Sequence, residues 1–232
     1  MYDQSSGLLT YNPYANMHES VEAKIEWFTI HGYRIRGVIH IGANDGKELA
    51  WYVTRGYRPI LAFEPHPIAF EELRKHYWNH ALLWNVALGA NNGQLALNVP
   101  EDGNTERASK YYPIIRPGHD WTQVPMTGLI NVRMERFDDW VYRGGIDLSP
   151  FNAVVIDVQG MELEVLKGFG NFINQFELLS VECSREPVYD GEADANQVID
   201  WLADRCFDRL TPVEEHDDIL FCRSDVYIAP ES

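Results

Sequence analysis

The sequence predicts an α/β fold with a doubly wound, mostly parallel sheet that ends in an antiparallel hairpin. Short apolar segments bounded by glycine, proline or polar residues alternate with stretches of helical periodicity along most of the 232 residues. Such alternation favours parallel strand pairing with right-handed crossovers, so that helices cover both faces of the sheet. Two strand-like segments near the C-terminus, 207–210 and 219–222, are close enough in sequence to pair as a hairpin.

Five short apolar segments are the other predicted strands. They lie at residues 37–41, 59–63, 82–87, 154–157 and 178–182. Helical spacing predicts a helix between the first two strands and further helices at about 19–30, from Pro67 onward, up to Gly168 and at about 198–206. Pro67 suits a first helical turn, because its missing N–H would have no intrahelical partner there.

The length indicates one domain with two additions. Residues 1–36 are expected to form an N-terminal extension with a helix, and residues 37–232 the main domain. Segment 100–127 interrupts the alternation of strands and helices. Because long loops inside compact domains are often lids or binding segments, we expect this segment to cover a site. Its aromatic residues are Tyr111, Tyr112 and Trp121, whose flat faces we expect to contact a sugar ring or another uncharged polar acceptor. The alternative is that they only anchor the loop.

Composition excludes several classes of partner. The formal net charge at pH 7 is −16, from 19 Lys and Arg against 35 Asp and Glu, so nucleic acid and anionic lipid are disfavoured. No apolar segment approaches the roughly 18 residues that a membrane span needs, and the N-terminus does not resemble an export signal. Three scattered cysteines fit a reducing compartment. We therefore expect a cytoplasmic protein.

A glycine turn and an acidic strand end together predict an adenosyl ligand. Gly42 and Gly46 follow the first strand, where backbone N–H groups can approach a ligand closely. Glu64 ends the second strand about 20 residues further on, the spacing at which a carboxylate can accept both hydroxyls of a ribose. Alone, the glycines also fit a purely structural turn, and Glu64 also fits a solvated or capping charge.

The turn lacks what a dinucleotide requires. Asn44 stands where the middle glycine of Gly-x-Gly-x-x-Gly belongs, and Asp45 and Glu48 add negative charge where a pyrophosphate would lie. S-adenosylmethionine carries a cationic sulfonium and no phosphate, so acidic neighbours suit it. At the end of the third strand, Asn85 and Val86 are expected to frame the adenine ring. The same residues also fit a strand that leaves the core through a polar turn.

Four segments resemble the FkbM-type methyltransferases. Residues 38–48 are similar to the family's cofactor motif in the variant with His40 before the loop, and Phe63-Glu64-Pro65 to its acidic strand end. Residues 136–140 resemble the segment before the fourth strand. Residues 156–168 are similar to the signature D-x-[EQ]-G-x-E-x-x-V-L-x-G. The resemblance spans about residues 37–223 and implies a Rossmann-like class I methyltransferase fold.

The resemblance implies O-methylation of a hydroxyl, commonly on a sugar, a lipid-linked glycan or a natural product. We expect a small-molecule or glycan acceptor, with S-adenosylmethionine as the cofactor. The predicted cofactor-binding residues are Gly42, Ala43, Asn44, Asp45, Gly46, Glu48, Glu64, Pro65, Asn85, Val86 and Asp157. The candidate catalytic residues, chosen because in-line transfer needs an aligned acceptor and a base for its proton, are Asp157, Gln159, Glu182 and His119.

Two other functions compete with this interpretation. A nicotinamide-dependent oxidoreductase would share Glu64 but needs a turn that accepts phosphate, and a catalytically silent binding module could share the fold. Asp157 and Glu182 could hold a divalent cation, but paired strand-end carboxylates more often meet helix N-termini or solvent, and we predict no metal. Gln159 cannot act as a base where relatives often have Glu. His40 is expected to be a packed strand residue, whereas His119 could reach an acceptor.

Overall fold

A computed structural model describes residues 21–115 and 120–226. The α-helices of this part are α1 (Val21–Ile30), α2 (Lys47–Arg55), α3 (Pro67–Tyr77), α4 (Phe137–Gly144), α5 (Glu162–Gly168) and α6 (Ala195–Ala203). Its strands are β1 (Val38–Ile41), β2 (Ile60–Phe63), β3 (Leu82–Trp84), β4 (Ala87–Leu88), β5 (Gly93–Pro100), β6 (Met126–Glu135), β7 (Ala153–Ile156), β8 (Leu178–Ser184), β9 (Phe207–Arg209) and β10 (His216–Arg223).

The main sheet has seven strands in the order β3-β2-β1-β7-β8-β10-β9. Strands β1, β2, β3, β7 and β8 pair in parallel, whereas β10 pairs antiparallel with both β8 and β9. This confirms the predicted α/β fold with a terminal hairpin. The strand order reverses between β1 and β7, and ligands of open α/β sheets bind in the crevice at such a reversal.

Each face of the main sheet carries its own apolar core. Because side chains alternate along a strand, Ile39 and Ile41 of β1 pack on one face and Val38 on the other. The first face is covered by α4, α5 and α6, and the second by α1, α2 and α3. Helix α1 contributes Ile25 and Phe28, which are fully buried, and it contacts β8 and β10. Helix α1 therefore packs on this face of the sheet.

A second, three-stranded sheet in the order β4-β6-β5 was not predicted. The expected strand over 82–87 is in fact two: β3 ends at Trp84, and β4 begins at Ala87 in the second sheet. Strands β5 and β6 form a long antiparallel pair, of which only one face is apolar. Residues 100–127 connect these two strands, so this segment is the end of a hairpin as well as a loop.

The connecting segment lies against the loop that follows β7. Ser109 is fully buried, and its Oγ donates a hydrogen bond to the carbonyl oxygen of Gln159 at 2.6 Å. A Cβ on Gly160 or Gly191 would lie within 3.3 Å of the Tyr111 ring, so these glycines let the ring approach. His119 falls outside the described residues. In the parts of the chain that are described, we find no helix long and apolar enough to cross a membrane.

Candidate active site

A cavity of about 450 Å³ opens at the carboxyl ends of β1, β2 and β7, where the strand order reverses. This size is within the range of small-molecule and cofactor pockets. The second sheet forms one wall through Leu95 and Leu97, and the loop after β7 forms another through Val158 and Met161. The cavity is thus enclosed by both sheets, and polar groups converge on it from the strand ends.

The glycine turn after β1 has a specific steric cause. Gly42 has φ +87°, and a Cβ built there would lie 1.7 Å from the carbonyl oxygen of Asp157. The backbones after β1 and β7 therefore approach more closely than a side chain permits. Asn44 follows with φ 44°, a left-handed conformation that asparagine tolerates better than most residues. Its backbone N–H donates to Glu64 Oε2 at 2.8 Å.

The Glu64 carboxyl group is buried in the cavity wall at the end of β2. Its Oε1 accepts a hydrogen bond from the backbone N–H of His66 at 2.6 Å, and its Oε2 accepts the one from Asn44. Burial raises the pKa of Glu64 to about 7, although both backbone hydrogen bonds act in the opposite direction. Each oxygen has a second lone pair, so this group can also accept two hydroxyl donors.

Eight of the eleven predicted cofactor residues line the cavity. They are Gly42, Asn44, Asp45, Glu48, Glu64, Pro65, Val86 and Asp157. Ala43 is fully buried in the core. Gly46 packs closely on two side chains, because a Cβ built on it would lie 2.6 Å from Leu73 Cδ1 and 2.6 Å from Tyr77 Cε2. Asn85 is not a wall residue either. Its Nδ2 donates to the carbonyl oxygens of Glu64 at 2.8 Å and Pro65 at 3.1 Å, so it shapes the turn instead.

Three of the candidate catalytic side chains are joined by one amide. Gln159 Nε2 donates to Asp157 Oδ1 at 2.7 Å and to Glu182 Oε2 at 3.0 Å, while Tyr189 Oη donates to Gln159 Oε1 at 2.6 Å. Gln159 has φ 56°, an uncommon conformation for a residue other than glycine. Asp157 and Gln159 line the cavity, whereas Glu182 is not among the wall residues.

Burial is the main cause that raises the pKa of Asp157 well above its usual range. The negative charges of Glu182 and Asp218 raise it further, and the hydrogen bond from Gln159 opposes them. Glu162 lies beside this group and accepts the backbone N–H groups of Val158 at 3.0 Å and Gly160 at 3.1 Å. Burial and the charge of Glu182 raise the pKa of Glu162 to about 8. Among the described residues we find no cluster of three His, Cys, Asp or Glu side chains arranged for a metal.

His216 is a wall residue that sequence reasoning missed. Its Nε2 is 3.2 Å from Glu182 Oε1, and its Nδ1 is 2.9 Å from Ser184 Oγ. The register of β10 against β8 places His216 directly opposite Ser184. The sequence predicted the hairpin that contains β10, but it began this strand at residue 219, so His216 was left outside the prediction.

Burial lowers the pKa of the other two histidines of the cavity, His40 and His66. His40 is buried, its Nδ1 lies 3.0 Å from Tyr52 Oη, and burial lowers its pKa to about 4. It is a packed strand residue, as expected, although it also contributes to the wall. Burial likewise lowers the pKa of His66.

A short piece of the connecting segment, residues 105–108, closes one side of the cavity. Thr105 Oγ1 donates to Asn44 Oδ1 at 2.8 Å, and Lys47 forms an ion pair with Glu106. Tyr111 and Tyr112, which we expected to contact an acceptor, are not wall residues. The side chain of Trp121 lies outside the part of the chain whose side chains are described. The wall contribution of this segment is therefore polar where aromatic contacts were predicted.

Comparison with known proteins identifies similar sequences and folds. The profile of the family described as "Methyltransferase FkbM domain" matches residues 40–210. The 2-O-methyltransferase NoeI of Sinorhizobium fredii (strain NBRC 101917 / NGR234) is 26% identical over 172 residues, which cover 71% of this chain and 70% of that protein.

Two of the solved structures that match this chain are the following. Magnesium protoporphyrin IX methyltransferase (ChlM) from Synechocystis PCC 6803, crystallised with bound SAM, has a TM-score of 0.48 at 11% identity, covering 88% of this chain and 77% of that one. An rRNA methylase from Streptococcus thermophilus also has a TM-score of 0.48, at 8% identity, covering 88% of this chain and 97% of that one.

Proposed function

We propose that this chain, which belongs to the FkbM methyltransferase domain family, transfers a methyl group from S-adenosylmethionine to a hydroxyl oxygen of a sugar-like acceptor. Family membership confirms the predicted methyltransferase activity and S-adenosylmethionine as the cofactor. The oxygen acceptor is the proposal. Its main support is one cavity that combines a buried ribose-type carboxylate, Glu64 after β2, with a second, half-buried carboxyl group, Asp157 after β7 on the other side of β1.

The wall residues fit this cofactor. Glu64 would accept the ribose hydroxyls, and the apolar surface of Val86 would lie against the adenine. Asp45 Oδ1 and His66 Nδ1 are buried and have no hydrogen-bond partner within the described residues, so a ligand with hydroxyl and amino donors would improve their environment. Asp45 and Glu48 would favour the cationic groups of the cofactor over a pyrophosphate. This charge distribution argues against the nicotinamide alternative.

The protein has two tasks in methyl transfer. When bound, S-adenosylmethionine supplies a methyl group activated by its sulfonium sulfur. The chain must hold the acceptor oxygen in line with that methyl group, and a base must take the hydroxyl proton. Asp157 is our proposed base, because it lines the cavity and burial makes its carboxylate a stronger proton acceptor than an exposed one. Gln159 holds Asp157 in place and cannot accept the proton itself.

The relative named a 2-O-methyltransferase supports an oxygen atom as the acceptor, at the level of 26% identity. The sugar-like molecule follows from the family resemblance. Residues 105–108 are placed to choose among acceptors, because they close the cavity beside the cofactor turn. We propose that they form the functional part of the predicted lid. A cofactor site that many methyltransferases share cannot distinguish one acceptor from another, so the residues that select the acceptor must lie outside it.

The test is transfer of radiolabelled methyl groups from S-adenosylmethionine to a panel of p-nitrophenyl hexosides, with the methylated atom located by NMR. Methyl transfer to oxygen is the expected result, and transfer only to nitrogen or carbon nucleophiles would contradict the proposal. Calorimetry with S-adenosylhomocysteine and NAD should detect binding of the first alone.

Asp157→Asn should lower methyl transfer about 100-fold or more, the usual effect of losing a general base, while binding of S-adenosylhomocysteine persists. The matched control is Asp147→Asn, since within the described part of the chain Asp147 hydrogen-bonds to Ser149 alone, in the loop after α4, and lies outside the cavity wall. A folded Asp157→Asn protein with full activity would remove Asp157 from the mechanism.

A further inference from the structure

His216 stands between Glu182 and Ser184 at the edge of the cavity. Its Nε2 faces Glu182 Oε1 at 3.2 Å, and its Nδ1 faces Ser184 Oγ at 2.9 Å. Ser184 Oγ in turn lies 2.7 Å from Glu192 Oε1. The other oxygen of Glu192 accepts the backbone N–H groups of Val188 at 2.6 Å and Tyr189 at 2.9 Å. The imidazole is therefore held at both of its nitrogens.

The donors and acceptors of this network fix the position of one proton. A carboxylate only accepts hydrogen bonds, so the single O–H of Ser184 is donated to Glu192. Ser184 Oγ must then accept from His216, which means that Nδ1 carries a proton. This leaves Nε2 as the nitrogen that faces Glu182, and a proton there converts the contact into an ion pair.

Glu182 connects His216 to the acceptor side of the cavity. Its Oε2 accepts a hydrogen bond from Gln159, whose amide also donates to Asp157. Both oxygens of Glu182 are thus occupied by donors if His216 is cationic. Such an arrangement favours an ionised Glu182 with its charge balanced locally by the imidazolium.

We propose that His216 is a positioning residue for methyl transfer: held by Ser184 and Glu192, its cation neutralises Glu182 and so allows Asp157 to ionise and take the acceptor proton. The inference rests on the proposed function. In the step, the acceptor O–H bond breaks and its proton moves to Asp157. The electron pair of the oxygen forms the new O–C bond, and the methyl carbon leaves sulfur, which retains the electron pair of the broken bond.

The charges around Asp157 support this role. Burial opposes the cationic form of His216, but the hydrogen bond and charge of Glu182 and the charges of Glu192 and Glu162 together raise its pKa to about 9. The His216 cation therefore persists at neutral pH. The groups that face Asp157 and its partners are Glu182 on β8, His216 and Asp218 on β10, Glu162 on α5, and Tyr189 and Glu192 after β8. Among the groups in this set, only His216 supplies positive charge.

The first test needs no acceptor. A ¹⁵N NMR titration of the imidazoles in the wild-type protein should show His216 protonated on both nitrogens at pH 7.5, with a midpoint near 9. A midpoint at or below the ordinary value of about 6.5 would overturn the proposal. Because this measurement uses the unaltered protein, it stands even where a variant does not fold.

The second test separates charge from packing. His216→Gln should move the apparent pKa of kcat/KM for the best hexoside acceptor upward by about one to three pH units, the effect of losing a cation near a carboxylate. His216→Lys should restore the profile to within about half a unit, because the cation returns. His76→Gln, an exposed histidine on α3, is the control and should leave the profile unchanged.

The outcomes are distinguishable. A lower rate at every pH with an unmoved profile in His216→Gln would show that His216 only supports the structure, and it would overturn the proposal. Failure of His216→Lys to restore the profile would do the same. If wild-type protein transfers no methyl group to any oxygen acceptor, the proposed function fails, whereas the imidazole titration reports on the network independently.

Discussion

Replacing Gly42 by alanine should destabilise the protein strongly, because the added methyl group has no room at the closest approach between β1 and β7. The new Cβ would lie 1.7 Å from the carbonyl oxygen of Asp157 and 2.8 Å from its carbonyl carbon. Both are backbone atoms, so no side-chain rotation relieves the overlap. The loops after the two strands would have to separate, and these loops form the floor of the cavity.

Two costs contribute to the expected loss of stability. Placing a residue with a Cβ at φ +87° costs about 1–2 kcal/mol. Relieving the overlap with a packed backbone costs about 1–3 kcal/mol more, the usual range for overpacking. The free energy of unfolding should therefore fall by about 2–5 kcal/mol in Gly42→Ala.

Gly56→Ala is the matched control. Gly56 has φ +76°, close to that of Gly42, but no atom lies within 4 Å of the Cβ that alanine would add. It should lose only the conformational term of about 1–2 kcal/mol. Urea unfolding measures both variants, and calorimetry with S-adenosylhomocysteine should show weaker binding only in Gly42→Ala. Equal destabilisation of the two variants would refute the steric argument.

Two further predictions concern the cofactor site. Burial raises the pKa of Glu64 to about 7, and bound hydroxyls favour its ionised form. Affinity for S-adenosylhomocysteine should therefore be complete above pH 7 and fall below it, by at most about tenfold per pH unit. An affinity measured by calorimetry that does not change between pH 6 and 8 would contradict this. Glu64→Ala should lose about 1–3 kcal/mol of the binding free energy for S-adenosylhomocysteine, and unchanged affinity in the folded variant would also contradict the assignment. Thr105→Val removes the hydrogen bond to Asn44 and should weaken the same binding by about 0.5–1.5 kcal/mol, whereas the exposed Thr127→Val should not.

Several features with a local signal in the chain were predicted correctly. Helix α3 begins at Pro67 as expected. The preference of proline for the first helical position depends on its own backbone geometry, so it can be read from the sequence alone. The glycine turn, Glu64 and Asp157 were expected at one edge because the ends of parallel strands share an edge of the sheet. The cavity does bring them together. Their roles in binding and catalysis stay predictions.

The second sheet escaped prediction for a physical reason. Ile130, Val132 and Met134 of β6 alternate with polar residues, which is a local strand signal that was missed. The pairing of β6 with β5, in contrast, joins residues on either side of segment 100–127, and no local pattern encodes it. Asn85 was misread for a related reason. A polar residue after a strand can face either a ligand or a backbone carbonyl. Here the turn at residues 64–65 brings two carbonyl oxygens to the Asn85 amide, and the sequence does not show the path of that turn.

The sequence by itself determined the chain order of the main-sheet strands, the glycine turn, the acidic strand end and the family signature, because each is encoded within a few consecutive residues. Only the tertiary structure decided the surroundings of Asp157. His216 meets Glu182 through the antiparallel register of β10 on β8, and Glu192 reaches the same network through Ser184. Proton affinities depend on burial and on charges brought together through space, which no local pattern of residues specifies.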